Sequence, residues 1–225
     1  MILHIESATR NCSVALANKG ELIGVKELNE GSFSHSEKLH AFIDELMLEA
    51  SIEMKDLSAV AVSKGPGSYT GLRIGVSAAK GICYSMGIPL LAVPTLESLA
   101  HQLHPEKGSY IIPMIDARRM EVFNAIYNSD LELVTPTQAT VLDETSFADL
   151  FDKAPVYLIG DGADKCIDLF KHENARIIQG KSPSSKEMVP LAYELFKNSK
   201  FEDVAYFEPY YLKDFVAGKP KKPLL

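Results

Sequence analysis

The stretch "SKGPGSYTGLRIGVSAAKGICYSMGIP", residues 63–89, decides how this chain is read. It places Gly65, Pro66, Gly67 and Gly71 around Ser68 and Thr70, directly after the apolar run "SAVAV" and before a long segment poor in charge. A glycine loop between a strand and a helix commonly holds phosphate, because the first amides of a helix point at an anion. The spacing argues against the usual versions. A Walker loop needs a lysine and a hydroxyl after the last glycine, and Gly71 is followed by Leu72 and Arg73. The dinucleotide pattern GxGxxG fails on its last gap, and no acidic residue follows where ribose binding requires one. A nucleophile elbow fails too, since Pro66 and Thr70 stand where GxSxG needs glycine. A weak phosphate contact at Ser68 or Thr70 stays open, with Ser68 as a helix cap the plainer reading.

From residue 70 to 86 the period becomes helical, and Gly87 and Pro89 end the run. Gly71, Gly75, Ser77, Ala78, Ala79 and Gly81 are all small. Glycine inside a helix costs about 1 kcal/mol relative to alanine, so three in one helix require a packing reason. Two apolar stripes are available, Leu72, Val76, Ala79, Cys83 and Ile74, Ala78, Ile82. The pattern predicts a packing helix; contact with the chain's own sheet alone, and contact with the sheet on one side and a partner on the other, both stay open.

Outward from this segment, "ILHIE", "CSVALAN" and "ELIGVKEL" predict a three-stranded antiparallel meander. In the next segment Leu39, Phe42, Ile43, Leu46, Met47 and Ala50 fall on one helical face, with Ser34 and Glu37 at capping-box spacing. "PLLAV" and "TLESLAHQL" add a strand and a helix, so the first half reads βββαβαβα. The second half opens with the strands "YIIPMID", "EVFNAIY" and "ELVTPTQATVL". "VYLIGDGADKCIDLFK" then predicts a strand, a turn and a helix, "ARIIQG" a short strand, and "SSKEMVPLAYELFKN" a helix interrupted by Pro190. Alternation of this kind argues for α/β layers. Two lobes are expected, residues 1–105 and 106–225.

The 225 residues are 46% apolar, enough for a sizeable core, and no run approaches the length of a membrane span. No signal-peptide pattern opens the chain. Three scattered cysteines, Cys12, Cys83 and Cys166, suit a reducing cytoplasm. A net charge of −7 disfavours strong nucleic-acid binding by the chain alone. The basic cluster, Lys213 to Lys222, is predicted to be a solvated end or a guide for RNA. His101 and His104 lack the further ligands a metal site needs, and His35 and His40, five apart, point about 140° away from each other on a helix.

The segments "HIESATRNCSVAL", "GPGSYTGLRIGVSAAKG", "VPTLESLA", "IDARRMEVF" and "EPYYLKDFVAGKP" resemble the TsaB (YeaZ) family, in family order along nearly the whole chain. The resemblance implies two ribonuclease-H-like lobes of the actin, sugar-kinase and Hsp70 superfamily. It implies a non-catalytic subunit that binds and activates TsaD, which transfers threonylcarbamoyl to N6 of adenosine 37 in tRNAs reading codons that begin with A. TsaE, a second copy of the chain and, through the complex, tRNA are the other implied partners. Thr95 and Leu99 stand where TsaD carries its metal-binding histidines, so the metal chemistry is expected to be lost. Glu6 replaces the superfamily's strand-end aspartate, leaving Ser7 and Thr9 as weak nucleotide candidates, with ATP or ADP at the TsaD contact left open. The expected partner surface is Ser36, Leu39, Phe42, Ile43, Leu72, Arg73, Gly75, Val76, Ala79, Lys80 and Cys83, with a charge at Gly75 or Ala79 breaking the complex and sparing the fold. Asp116, Arg118 and Arg119 are assigned no role, a turn salt bridge and a tRNA-facing contact both staying open. The competing readings are a phosphotransferase or ATPase on the same fold, a peptidase, and a self-contained homodimeric module.

Overall fold

The computed structural model describes residues 1–29 and 35–213. Strands β1 (Ile2–Glu6), β2 (Cys12–Asn18) and β3 (Glu21–Leu28) form the expected antiparallel meander. β4 (Ala59–Gly65) and β5 (Leu90–Pro94) join on the other side of β1 in parallel, giving the order β3-β2-β1-β4-β5. Parallel strands need crossovers long enough for a helix. These are α1 (His35–Glu49) between β3 and β4, and α2 (Tyr69–Met86) between β4 and β5. Both lie on one face, where Leu39 and Ile43 of α1 and Val76, Ala79 and Cys83 of α2 meet Leu3, Ile5, Val14 and Val62. Each large side chain sealed there contributes about 1.5–3 kcal/mol. The capping serine expected for α1, Ser34, lies outside the described residues.

The second sheet repeats the plan. β6 (Tyr110–Asp116), β7 (Glu121–Asn128) and β8 (Leu133–Val141) are antiparallel, and β9 (Val156–Ile159) and β10 (Ala175–Ile178) add in parallel, in the order β10-β9-β6-β7-β8. Two sheets with the same strand order make the doubled ribonuclease-H-like arrangement. Helix α3 (Thr95–Ala100) follows the first sheet yet packs Leu96 and Leu99 on Ile111, Ile115 and Ile159 of the second. Helix α5 (Met188–Lys197) follows the second sheet yet packs Met188 and Ala192 on Ile2, Ala61 and Leu91 of the first. This exchange of helices ties the two halves together.

Two expectations are corrected. The helix predicted after β9 is only a 3-10 turn, Ala163–Cys166. Cys166 and Phe170 still reach the core at helical spacing, but the Gly162 amide donates to the Met114 carbonyl at 3.1 Å and the chain must turn again at His172–Asn174 to enter β10. Pro190 does not interrupt a helix. It sits in the first turn of α5, where the missing N–H has no helical partner to lose. Between β8 and β9 only one helical turn forms, α4 (Ala148–Phe151).

Candidate functional site

Two places merit scrutiny, the end of β1 beneath the glycine loop and the outward side of α1 and α2. At the first, Glu6 is fully buried. The Ala8 amide and the Ser63 hydroxyl donate to its Oε1 at 2.6 and 2.8 Å, while Oε2 has no partner. Loss of hydration pushes its carboxyl up to about 7, against which these hydrogen bonds pull.

Ser7 and Thr9 are buried as well. The Ser7 hydroxyl donates to the Gly71 carbonyl at 2.9 Å, and Thr9 Oγ1 accepts from the Asn11 amide at 3.4 Å. The glycine loop lies against this turn: a Cβ on Gly67 would come within 2.4 Å of the Ala8 carbonyl oxygen. The Ser68 amide donates to that oxygen at 2.6 Å, the Gly65 amide to Thr95 Oγ1 at 3.1 Å, and the Gly71 amide to the capping Ser68 at 3.3 Å. Three amides of the loop therefore bind protein atoms. Nearby, Pro183 and Ser185 lie against the start of β2: the Asn11 side-chain Nδ2 donates to the Pro183 carbonyl at 2.8 Å, and the Ser13 and Ser185 hydroxyls stand 2.6 Å apart. The arrangement is a packed hinge between elements rather than an open cradle.

The inward stripe of α2 settles the question posed by its glycines. A Cβ on Gly75 would lie 2.1 Å from Ser7 Oγ and 3.4 Å from the Ile5 side chain. The missing side chain makes room for the chain's own β1. Leu39, Ile43, Leu72, Gly75, Val76, Ala79 and Cys83 are all buried in this core, which corrects their expected place on a partner surface. A charge at Gly75 or Ala79 would break the fold before it broke a complex.

Four residues of the expected surface remain accessible. Ser36 and Arg73 are exposed, and Phe42 and Lys80 partly so. Arg73 and Lys80 are held by the chain's own C-terminal segment. Arg73 stacks 4.0 Å over the Tyr69 ring and donates through Nε to the Tyr211 hydroxyl at 3.2 Å. Lys80 donates to the carbonyls of Ala205 and Phe207 at 3.1 and 2.9 Å. Between α1 and α2 runs an open groove of about 620 Å³, lined by Ser36, His40, Ile74, Ala78, Gly81 and Ile82. Its floor is the second apolar stripe of the sequence. Around Gly81 a Cβ would meet nothing within 4 Å, the reverse of Gly75. Tyr84 and Leu48, which periodicity did not single out, are 85% and 81% exposed.

Thr95 and Leu99 are buried, Thr95 serving the Gly65 amide. His101 Nδ1 lies 2.9 Å from the Glu97 carbonyl oxygen. Among the described residues no group of three or more His, Cys, Asp or Glu is placed to hold a metal ion, and no helix is long and apolar enough to cross a membrane.

Residues 29–219 match the family model described as TsaD, tRNA N6-adenosine threonylcarbamoyltransferase. The chain is 30% identical over 225 residues to the tRNA threonylcarbamoyladenosine biosynthesis protein TsaB of Escherichia coli, covering 97% of this chain and 96% of that one. It is 36% identical over 144 residues to TsaB of Bacillus subtilis, 63% of this chain and 62% of the relative. Among solved structures, YeaZ from Pseudomonas aeruginosa superposes with a TM-score of 0.78 at 25% identity, over 94% of this chain and 99% of that one. With its two matching sheets, its buried strand end and this near full-length similarity, the chain belongs to the TsaB family.

Proposed function

We propose that this protein acts in tRNA threonylcarbamoyladenosine biosynthesis as a non-catalytic subunit that binds and activates TsaD. The reaction supported is threonylcarbamoyl transfer to N6 of adenosine 37 in tRNAs reading codons that begin with A. The observation that carries the reading is the groove beside α2. Ile74, Ala78 and Ile82 face outward next to the open Gly81, so a partner helix can approach closely there. Buried apolar contacts at the centre of such an interface supply most of the binding energy. A second copy of the chain would use the same face, so homodimer and TsaD complex would exclude each other. TsaE and tRNA join through the assembled complex, and a weak ATP or ADP contact would fall at its junction, since Ser7 and Thr9 are out of reach. The setting is a cytoplasmic one.

Ala78→Arg is expected to abolish co-elution with TsaD while the circular-dichroism spectrum and melting midpoint of the isolated chain stay unchanged. Reconstituted tRNA modification should then fall to the level seen without the chain. Co-elution of this variant at wild-type strength would remove the interface from this face. Turnover of ATP, peptide or tRNA by the purified chain alone would overturn the non-catalytic role.

A further inference from the structure

The hairpin turn between β6 and β7 carries chemistry that the partner groove does not use. Its backbone closes through the Ala117 amide on the Glu121 carbonyl at 3.1 Å and the Glu121 amide on the Arg118 carbonyl at 3.2 Å. Arg118 and Arg119 sit at φ +72° and +52°, two consecutive side-chain-bearing residues in the left-handed region. Glycine or asparagine would occupy that region at lower cost, and retained strain of this kind concentrates at functional sites.

The acids at the base of the turn are all engaged by the chain's own donors. Asp116 Oδ1 accepts from the Arg118 amide at 2.6 Å and from Lys165 Nζ at 2.5 Å. Asp161 Oδ1 accepts from the Asp116 amide at 3.0 Å, and Lys165 also donates to the Glu121 carbonyl at 2.8 Å. Glu121 Oε1 pairs with Lys213 Nζ at 2.5 Å. Both guanidinium groups, in contrast, are exposed and make no hydrogen bond or ion pair among the described residues. The turn is thus a rigid mount for two uncompensated cations on a chain whose net charge is −7. Lys213 brings the end of the described chain to the same place, and the sequence beyond it carries Lys219, Lys221 and Lys222 against Asp214 alone.

We propose that the Arg118–Arg119 turn contacts the phosphate backbone of tRNA. Planar guanidinium forks match phosphate oxygens, and two of them on one clamped turn fix an orientation without reading bases. The proposal rests on the function above, which brings tRNA to the complex.

The test replaces the turn by its relaxed form, Arg118→Asn with Arg119→Gly, and compares it with the charge-retaining Arg118→Lys with Arg119→Lys. Fluorescence anisotropy of a labelled, unmodified tRNA transcript is measured against the chain alone at low salt and against its complex with TsaD. In both arms the Asn–Gly variant is expected to melt higher than wild type yet bind roughly tenfold more weakly, with the slope of log affinity against log salt reduced by about 1 to 2. The lysine pair should keep most of that slope. Unchanged tRNA binding by the Asn–Gly variant overturns the proposal. Loss of TsaD co-elution by that variant also overturns it, because the turn would then be a protein contact. Should the wild-type chain fail to form the complex, the subunit role falls while the chain-alone arm still decides the turn.

Discussion

The two sheets share one strand order and differ in what lies on them. The first carries α1 and α2, of 15 and 18 residues, and the second has only the four-residue α4 and one 3-10 turn in the same connections. Their first strands both end in an acid with opposite surroundings. Glu6 is sealed with one oxygen unpaired, whereas Asp116 is 44% exposed at its side chain and satisfied by Lys165 and its own turn. The same topology therefore serves two ends. One lobe presents long helices around a dry strand end, and the other presents a charged hairpin.

The comparison can be broken most sharply at Gly75, where the first lobe is packed tightest. Gly75→Leu is expected to cost about 3 kcal/mol or more in urea unfolding, because the new side chain must displace Ser7 and Ile5. Ser7→Gly in the same chain should recover part of that loss, and full additivity of the two changes would show that they do not touch.

Next in size is the strand-end carboxyl. The Glu6 pKa rises from 4.5 to about 7 on folding, so the folded state holds this proton more tightly. That contribution is complete below about pH 4.5 and is lost as pH rises through 7, a difference on the order of 3 kcal/mol. Glu6→Gln is expected to raise the melting midpoint at pH 8 and leave it nearly unchanged at pH 4.5. His4, two residues away, works in the opposite sense. Burial lowers its pKa from 6.5 to about 4, so its contribution is present above 6.5 and lost as pH falls toward 4. The wild-type chain should therefore show a broad plateau between about pH 4.5 and 6.5, which Glu6→Gln converts into a slope rising with pH. A flat profile in the variant would show that His4 is not what balances Glu6. Backbone groups of Ala15 and Ile2 pull against that lowering of the His4 pKa.

The second lobe should respond less. Asp116→Asn loses an ion pair that solvent partly screens, and a cost of about 1 kcal/mol or less is expected from denaturant titration. Gly81→Ala reverses the sign seen at Gly75: with open space around it, alanine should stabilise the isolated chain by up to about 1 kcal/mol, while the proposed binding to TsaD should weaken, as co-elution would read.

Periodicity recovered the strands of both sheets and the long helices of the first, because each has one sealed face and a distinct repeat. It failed after β9, where Cys166 and Phe170 keep helical spacing yet are delivered to the core by turns. It also could not say which face of α2 looks outward. Both stripes are apolar, and only contact with β1 distinguishes Gly75 from Gly81. The strap over Arg73 and Lys80 was equally hidden, since those bonds join residues more than a hundred positions apart. The basic cluster beyond Lys213 lies outside the described residues.

Sequence by itself determined the order of elements, the family and the absence of the motifs that Walker loops and serine hydrolases require, because these depend on local spacing. Tertiary structure alone decided which small residues face the chain's own sheet, which lie open at the surface, and which charges are left unpaired there. Burial and pairing are properties of distant segments brought together, and no local pattern encodes them.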